Sequence, residues 1–113
     1  MRIQAARMRY NNVATYGAPH VEFSWDAAKN RTNQRKHGLP FEIAARVFLD
    51  PNRIERYDDT VEGEDRWITI GAVEIVLLVV VYTVRGEAGE AIRLISARRA
   101  NAQEREAYGK HGA

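Results

Sequence analysis

The residue types best suited to chemistry cluster in "WDAAKNRTNQRKHG", residues 25–38. Lys29, Arg31, Arg35, Lys36 and His37 are interleaved there with Asn30, Asn33 and Gln34, and one carboxylate, Asp26, answers them. After Trp25 the only apolar side chains are Ala27 and Ala28. A helix so polar is not needed to fill a core and can offer its cations to an anion. A second group of cations sits in strand-like segments: Arg66 in "RWITIG", Arg85 after "IVLLVVVYTV", and Arg93 and Arg98 in "AIRLISARRA". Regular alternation puts Arg93, Ile95 and Ala97 on one face of the last segment, and Ile92, Leu94, Ser96 and Arg98 on the other. Each face then carries an arginine where a half-buried strand would take an aliphatic. Arg66 shares its face with Ile68 and Ile70. Arginines at strand ends beside a cationic helix can line one electropositive groove. The competing reading pairs each with a surface carboxylate, worth under about 1 kcal/mol.

Other chemistries find little material. The histidines, His20, His37 and His111, form no HxxxH or HExxH spacing, and there is no cysteine, so no metal site is expected. No glycine-rich phosphate loop is present, and no cofactor is expected. The two serines, Ser24 and Ser96, lie outside any GxSxG elbow. Phosphate contacts from cations suit RNA better than duplex DNA. Trp25, Trp67, Tyr57 and Tyr82 are available to stack on unpaired bases, or else belong to the core. No partner helix and turn precede the cationic helix, which argues against a helix-turn-helix.

The elements that must position these residues follow from pattern. The chain has 113 residues, one domain with one modest core. Its cations are 14 arginines and 3 lysines, and with net charge +2 and pI near 9.1 they mildly favour an anionic partner, although codon bias produces the same excess of arginine. The longest apolar run, 75–84, is half of the roughly 20 residues a membrane span needs, and it reads as a strand buried on both faces. Residues 1–20 lack the apolar core of a signal peptide.

"HVEFSWD" alternates as a short strand, and Ser24 or Asp26 caps a helix that ends at Gly38. "LPFEIAARVFLDP" predicts a second helix, with Pro40 in its first turn, Phe41, Ala44, Ala45 and Phe48 in one stripe, and Pro51 as its stop. Strands are predicted at 53–57, 66–71, 74–84 and 91–98, with a turn at Gly71–Ala72 and an exposed edge at 53–57. Asn101 caps a short C-terminal helix, and Glu104 takes the third helical position. The expected fold is α+β, an antiparallel sheet with two N-terminal helices and a short C-terminal helix, in the order β-α-α-β-β-β-β-α. Residues 1–20 read as an N-terminal extension open to partial disorder, 21–108 as the domain and 109–113 as a tail.

"FSWDAAKNRTNQRKHGLPFEIAARVFLDP" resembles the BrnT toxin pattern F-x-W-D-x-x-K…N…K-H-G-x-x-F-x-x-A…F-x-D-P. "EGEDRWITIG", "LLVVVYTVR" and "IRLISARRANAQEREAY" extend the resemblance over roughly residues 21–108. The resemblance implies a RelE-like ribonuclease fold and the toxin of a type II toxin–antitoxin system that cleaves RNA and halts translation in the cytoplasm. It also implies a cognate BrnA-like antitoxin and a complex of two toxins and two antitoxins. Operator DNA would be met only through the antitoxin.

On that reading the reaction is metal-independent: the ribose 2′-hydroxyl attacks the adjacent phosphate and expels the 5′-oxygen. The chain must take a proton, give a proton and stabilise charge on phosphorus. Lys36 and His37 are assigned to the reaction at the negative end of the first helix, where a positive charge suits an acid or a phosphate clamp; capping the helix is the alternative for His37. Arg66 and Arg98 are assigned to transition-state charge. Lys29 and Arg85 position the RNA backbone, with Ser96 as a phosphate donor and Trp25 as a stacking surface. Glu104 and Tyr82 are secondary candidates for proton transfer. The competing class is a non-catalytic module that binds nucleic acid or antitoxin and serves promoter autoregulation. The antitoxin-binding face is open between the first helix and the edge at 53–57.

Overall fold

Val21, Phe23 and Trp25 alternate with Glu22 and Ser24, and this period of two builds a strand with one buried face. The computed structural model describes residues 5–11, 20–60, 62–87 and 89–112, with side chains from 21 to 110 except 61 and 88. In it that strand spans His20–Asp26 (β2). Asp26 then accepts the Ala28 N–H at 2.8 Å and starts α1, Ala27–His37. Gly38 ends the helix at φ 66°, a left-handed position open to glycine, and returns its N–H to the Gln34 carbonyl at 2.7 Å.

The predicted second helix divides into one α turn, α2 (Phe41–Ala44), and a 3-10 helix, Ala45–Leu49. Three residues per turn set Ala44 over Val47 and Ala45 over Phe48, and all four are buried against the sheet. Asn30 of α1 fixes the entry, accepting the Phe41 N–H at 2.8 Å.

The remaining strands are β3 (Ile54–Asp58), β4 (Arg66–Val73), β5 (Val76–Arg85) and β6 (Ala91–Arg99), followed by α3 (Ala102–Gly112). Residues 5–11, read from sequence as part of the extension, form a further strand, β1 (Ala5–Asn11), antiparallel to β2. The rest of the predicted extension lies outside the described residues. Residues 109–112, read as tail, belong to α3.

The sheet is mixed rather than antiparallel. Its order is β1-β2-β6-β5-β4-β3, and β2 runs parallel to β6. Strands β3 to β6 do form an antiparallel meander. The chain leaves β2 through the helices and returns beside it only at β6. Such a crossover makes neighbours parallel, and local pattern does not report which strand the first one joins. The predicted turn at Gly71–Ala72 falls instead at Glu74–Ile75, and Gly71 stays in β4. A Cβ on Gly71 would lie 3.1 Å from the Val47 Cβ and 3.2 Å from the Val47 carbonyl oxygen, so the glycine marks close packing of the 3-10 helix rather than a turn.

The main core lies between one face of the sheet and the segment 41–48. Val21, Phe23, Trp25, Leu78, Val80, Tyr82, Ile92, Leu94 and Ala97 meet Phe41, Val47 and Phe48 there. Phe48 stands edge-on to Tyr82 at 4.9 Å between centroids. On the opposite face Ile70 and Val79 pack with Ala100, which precedes α3, and with Tyr108 of α3. Tyr108 donates to Asp50 at 2.6 Å, and Asp50 also accepts the Ala72 N–H at 2.8 Å.

Burial raises the Asp50 carboxyl, but hydrogen bonds from Tyr108, Ala72 and Asn52 and the charge of Arg53 outweigh it and hold it below the ordinary value. The same bond, with burial and the Asp50 charge, pushes Tyr108 up to about 12. A raised tyrosine stabilises fully below its unfolded value near 10 and loses that contribution as pH rises through about 12. The depressed Asp50 contributes above the ordinary carboxylate value and loses its contribution as pH falls below it. Tyr108→Phe should therefore cost about 1 kcal/mol near neutrality, after solvent screening, and flatten the loss of stability between about pH 10 and 12. Urea unfolding of both forms at pH 7, 10 and 12 checks this; parallel curves would remove the bond from the account.

Candidate active site

The feature that gathers the cations is a bulge in β6. Tyr82 pairs with Leu94 and Val81 pairs with Ser96, so Ile95 is an extra residue in the ladder. The bulge reverses the alternation. Ile92, Leu94 and Ala97 all enter the core, while Arg93, Ser96 and Arg98 share the opposite face. Regular alternation placed Arg93 and Arg98 on different faces, and the bulge corrects that. The sequence signal was the misfit itself: an arginine on each face of one strand.

On this face the residues form a row across the sheet. Ser24 lies opposite Arg93, and Arg93 opposite Thr83. One step beyond the Trp67–Tyr82 pair, Thr83 faces Arg66, and Asp58 closes the row across from Arg66. Around it Ser24, Lys29, Glu64, Arg66, Arg85, Arg93 and Ile95 line a groove of about 280 Å³. Glu64 is the carboxylate in that lining, and it accepts the Arg66 Nε–H at 3.2 Å. Among the described residues Lys29, Arg85 and Arg93 have no ion-pair partner.

A second groove, of about 370 Å³, runs between α1 and β6. Lys29, Thr32, Asn33, Lys36 and His37 form one wall, and Ile95 and Ser96 the other. The two grooves share Lys29 and Ile95. The structure thus brings together Lys29, Lys36, His37, Arg66, Arg85 and Ser96, and adds Arg93 to them.

Asn33 holds the helix wall in place. Its side-chain amide donates to the Ala97 carbonyl at 2.8 Å and the Leu39 carbonyl at 3.0 Å, and its oxygen accepts the Ala97 N–H at 3.1 Å. The side chain replaces a neighbouring strand where β2 has ended and α1 runs beside β6. It is the buried residue of α1, which explains how so polar a helix is anchored.

Two assignments fail on position. Trp25 is 1% exposed and packs edge-on against Phe41 at 6.2 Å, so it offers no surface for a base. Tyr82 is fully buried beneath Phe48 and carries no proton to a substrate. Both side chains point to the core face because period-2 alternation from Val21 and Leu78 carries them there.

Arg98 lines neither groove. Its two terminal nitrogens each donate to Glu104 at 2.8 Å. Glu104 also accepts the Asn101 N–H at 2.8 Å while donating its own N–H to the Asn101 side chain, a capping box at the start of α3. The Arg98 bonds hold the Glu104 carboxyl below the ordinary range, and Glu104 in turn raises Arg98. Arg98 therefore serves to hold α3 on the sheet, and Glu104, bonded through both oxygens and held below the ordinary carboxylate range by Arg98, is a weak acceptor for a substrate proton.

The chain is thus an α+β domain with an arginine-rich groove on one sheet face and a cationic helix along it. The family model described as "Ribonuclease toxin, BrnT, of type II toxin-antitoxin system" matches residues 25–104, and the chain belongs to that family. The crystal structure of the Brucella abortus ribonuclease toxin BrnT is similar to this chain at 32% identity and TM-score 0.51, over 68% of this chain and 92% of that one. A search of curated proteins gives no match. Family membership makes this a ribonuclease toxin whose system includes an antitoxin. Among the described residues no helix is long and apolar enough to cross a membrane.

Proposed function

We propose that this toxin is a metal-independent endoribonuclease that works on the open face of its sheet. The observation that carries the reading is the groove lined by Lys29, Arg66, Arg85 and Arg93 with one carboxylate, continuous with a second one bearing Lys36, His37 and Ser96. Lys29, Arg85 and Arg93, without carboxylate partners among the described residues, keep their full attraction for phosphate.

The 2′-hydroxyl attacks phosphorus, its proton passes to a base, and the 5′-oxygen leaves with a proton from an acid. Arg66 and Arg93 meet the charge on the phosphate oxygens. Lys29 and Arg85 hold the flanking backbone. Lys36 and His37, in the last turn of α1, supply the proton to the leaving oxygen or clamp the next phosphate, and Ser96 donates to a phosphate oxygen. The fold label is RelE-like, the antitoxin BrnA-like, and the stored form two toxins with two antitoxins, reaching operator DNA through the antitoxin. Masking of these cations by an acidic antitoxin surface accounts for neutralisation.

Purified toxin, freed of antitoxin and mixed with a defined RNA in EDTA, is expected to leave 2′,3′-cyclic phosphate and 5′-hydroxyl ends. Cleavage that stops in EDTA and returns with magnesium would overturn metal independence. RNA left intact both alone and on translating ribosomes would overturn the enzyme reading in favour of a binding module.

A further inference from the structure

Two threonines of the sheet, Thr69 and Thr83, are fully buried. Thr69 donates to the Ile54 carbonyl at 3.0 Å. The Thr83 hydroxyl has no hydrogen-bond partner among the described residues. Buried polar groups are nearly always paired, so an orphan inside a regular strand calls for a reason. Valine has the same shape and suits a strand better, and it would remove the cost entirely. Position supplies the reason. Thr83 occupies the row between Arg66 and Arg93, the two arginines that flank the groove from opposite sides. Arg66 is held at Nε by Glu64, which leaves both of its terminal nitrogens without a protein partner among the described residues. Arg93 is exposed and has none there either.

We propose that Thr83, Arg66 and Arg93 form a subsite for a single phosphate group, with the Thr83 hydroxyl as its third donor and Glu64 as the residue that orients Arg66. The subsite deepens the ribonuclease reading and rests on it for the source of the phosphate. The hydroxyl is covered and lies behind the groove lining rather than in it. When the two guanidinium forks close on an oxyanion between them, the hydroxyl meets a phosphate oxygen. Bidentate guanidinium contacts set the orientation of that group, and a short hydroxyl contact discriminates its depth. Glu64 is a positioning residue, since it reaches the phosphate only through Arg66.

The test titrates the intact toxin with inorganic phosphate and, separately, with a short RNA whose 2′-hydroxyls are methylated and cannot attack. Amide and arginine Nε–H NMR signals give both affinity and location. The wild type should shift at Arg66, Thr83 and Arg93 with each probe. Thr83→Val should weaken both at least tenfold with an unchanged or higher melting temperature, and Thr83→Ser should restore binding. Glu64→Gln should weaken phosphate and remove the Arg66 shift while the Arg93 shift remains. Equal binding by the wild type and Thr83→Val would overturn the subsite. Thr83-dependent binding of phosphate without binding of RNA would uphold the subsite and sink the ribonuclease assignment of this groove.

Discussion

Arg93→Ala should slow RNA cleavage by about 10²–10³-fold, the usual cost of removing one donor aimed at developing charge. The fold should hardly register the change. Arg93 is exposed and lacks an ion-pair partner among the described residues, so its loss should shift stability by no more than about 0.5 kcal/mol. Arg98→Ala is the natural control. It lies on the same strand face but is tied to Glu104 through two bonds of 2.8 Å. Its removal should cost about 1 kcal/mol of stability through the α3 cap and leave cleavage within about threefold. The pair of variants separates the two arginines by function, read as initial cleavage rates beside thermal melts. If Arg98→Ala is the inactive form and Arg93→Ala cuts normally, the site is not in the groove between β4, β5 and β6, and the role first assigned to Arg98 returns to it.

Asn33→Ala should be the most destabilising polar substitution among the described residues. The side chain satisfies the Ala97 N–H, the Ala97 carbonyl and the Leu39 carbonyl, and it is buried. Stranding backbone groups at a buried edge costs about 1–3 kcal/mol each, and partial access of water at the helix end reduces the sum. A loss of about 3 kcal/mol, or roughly 10–15 °C in melting temperature, is expected. Asn33→Asp should do comparable harm, because it keeps the acceptor for Ala97 but loses both donations and buries a charge. Circular dichroism melts decide the matter, and a drop under about 3 °C would show that water replaces these bonds. Asn33 also lines the groove beside Lys36 and His37, so the surviving folded fraction should cleave more slowly as α1 loosens from β6.

The strands at 53–57, 66–71, 74–84 and 91–98, the α1 end at Gly38, its start at one of two candidates, Ser24 or Asp26, and the box formed by Asn101 and Glu104 were legible in the sequence. Each is set within a few residues by alternation, cap chemistry or a turn. So was the set of cations, because a polar helix and arginines inside apolar strands are exceptions to local pattern. That they could line one groove was also an expectation of the sequence, but which of them meet there was not legible. Alternation presumes a regular strand, and one extra residue, Ile95, carries Arg93, Ser96 and Arg98 to one face. Trp25 was offered as a stacking surface although regular alternation from Val21 turns it to the core, where it meets Phe41. The parallel pairing of β2 with β6 joins segments some 70 residues apart, and Asn33 reaches across 64 residues to Ala97. Thr83 is an ordinary strand residue by itself, and it becomes notable only when Arg66 and Arg93 arrive on either side. Sequence by itself determined which residues could bind an anion, since that is a matter of side-chain chemistry and local period. Tertiary structure decided which of them face one groove, since register, bulge and crossover arise from packing between distant segments and leave no local trace.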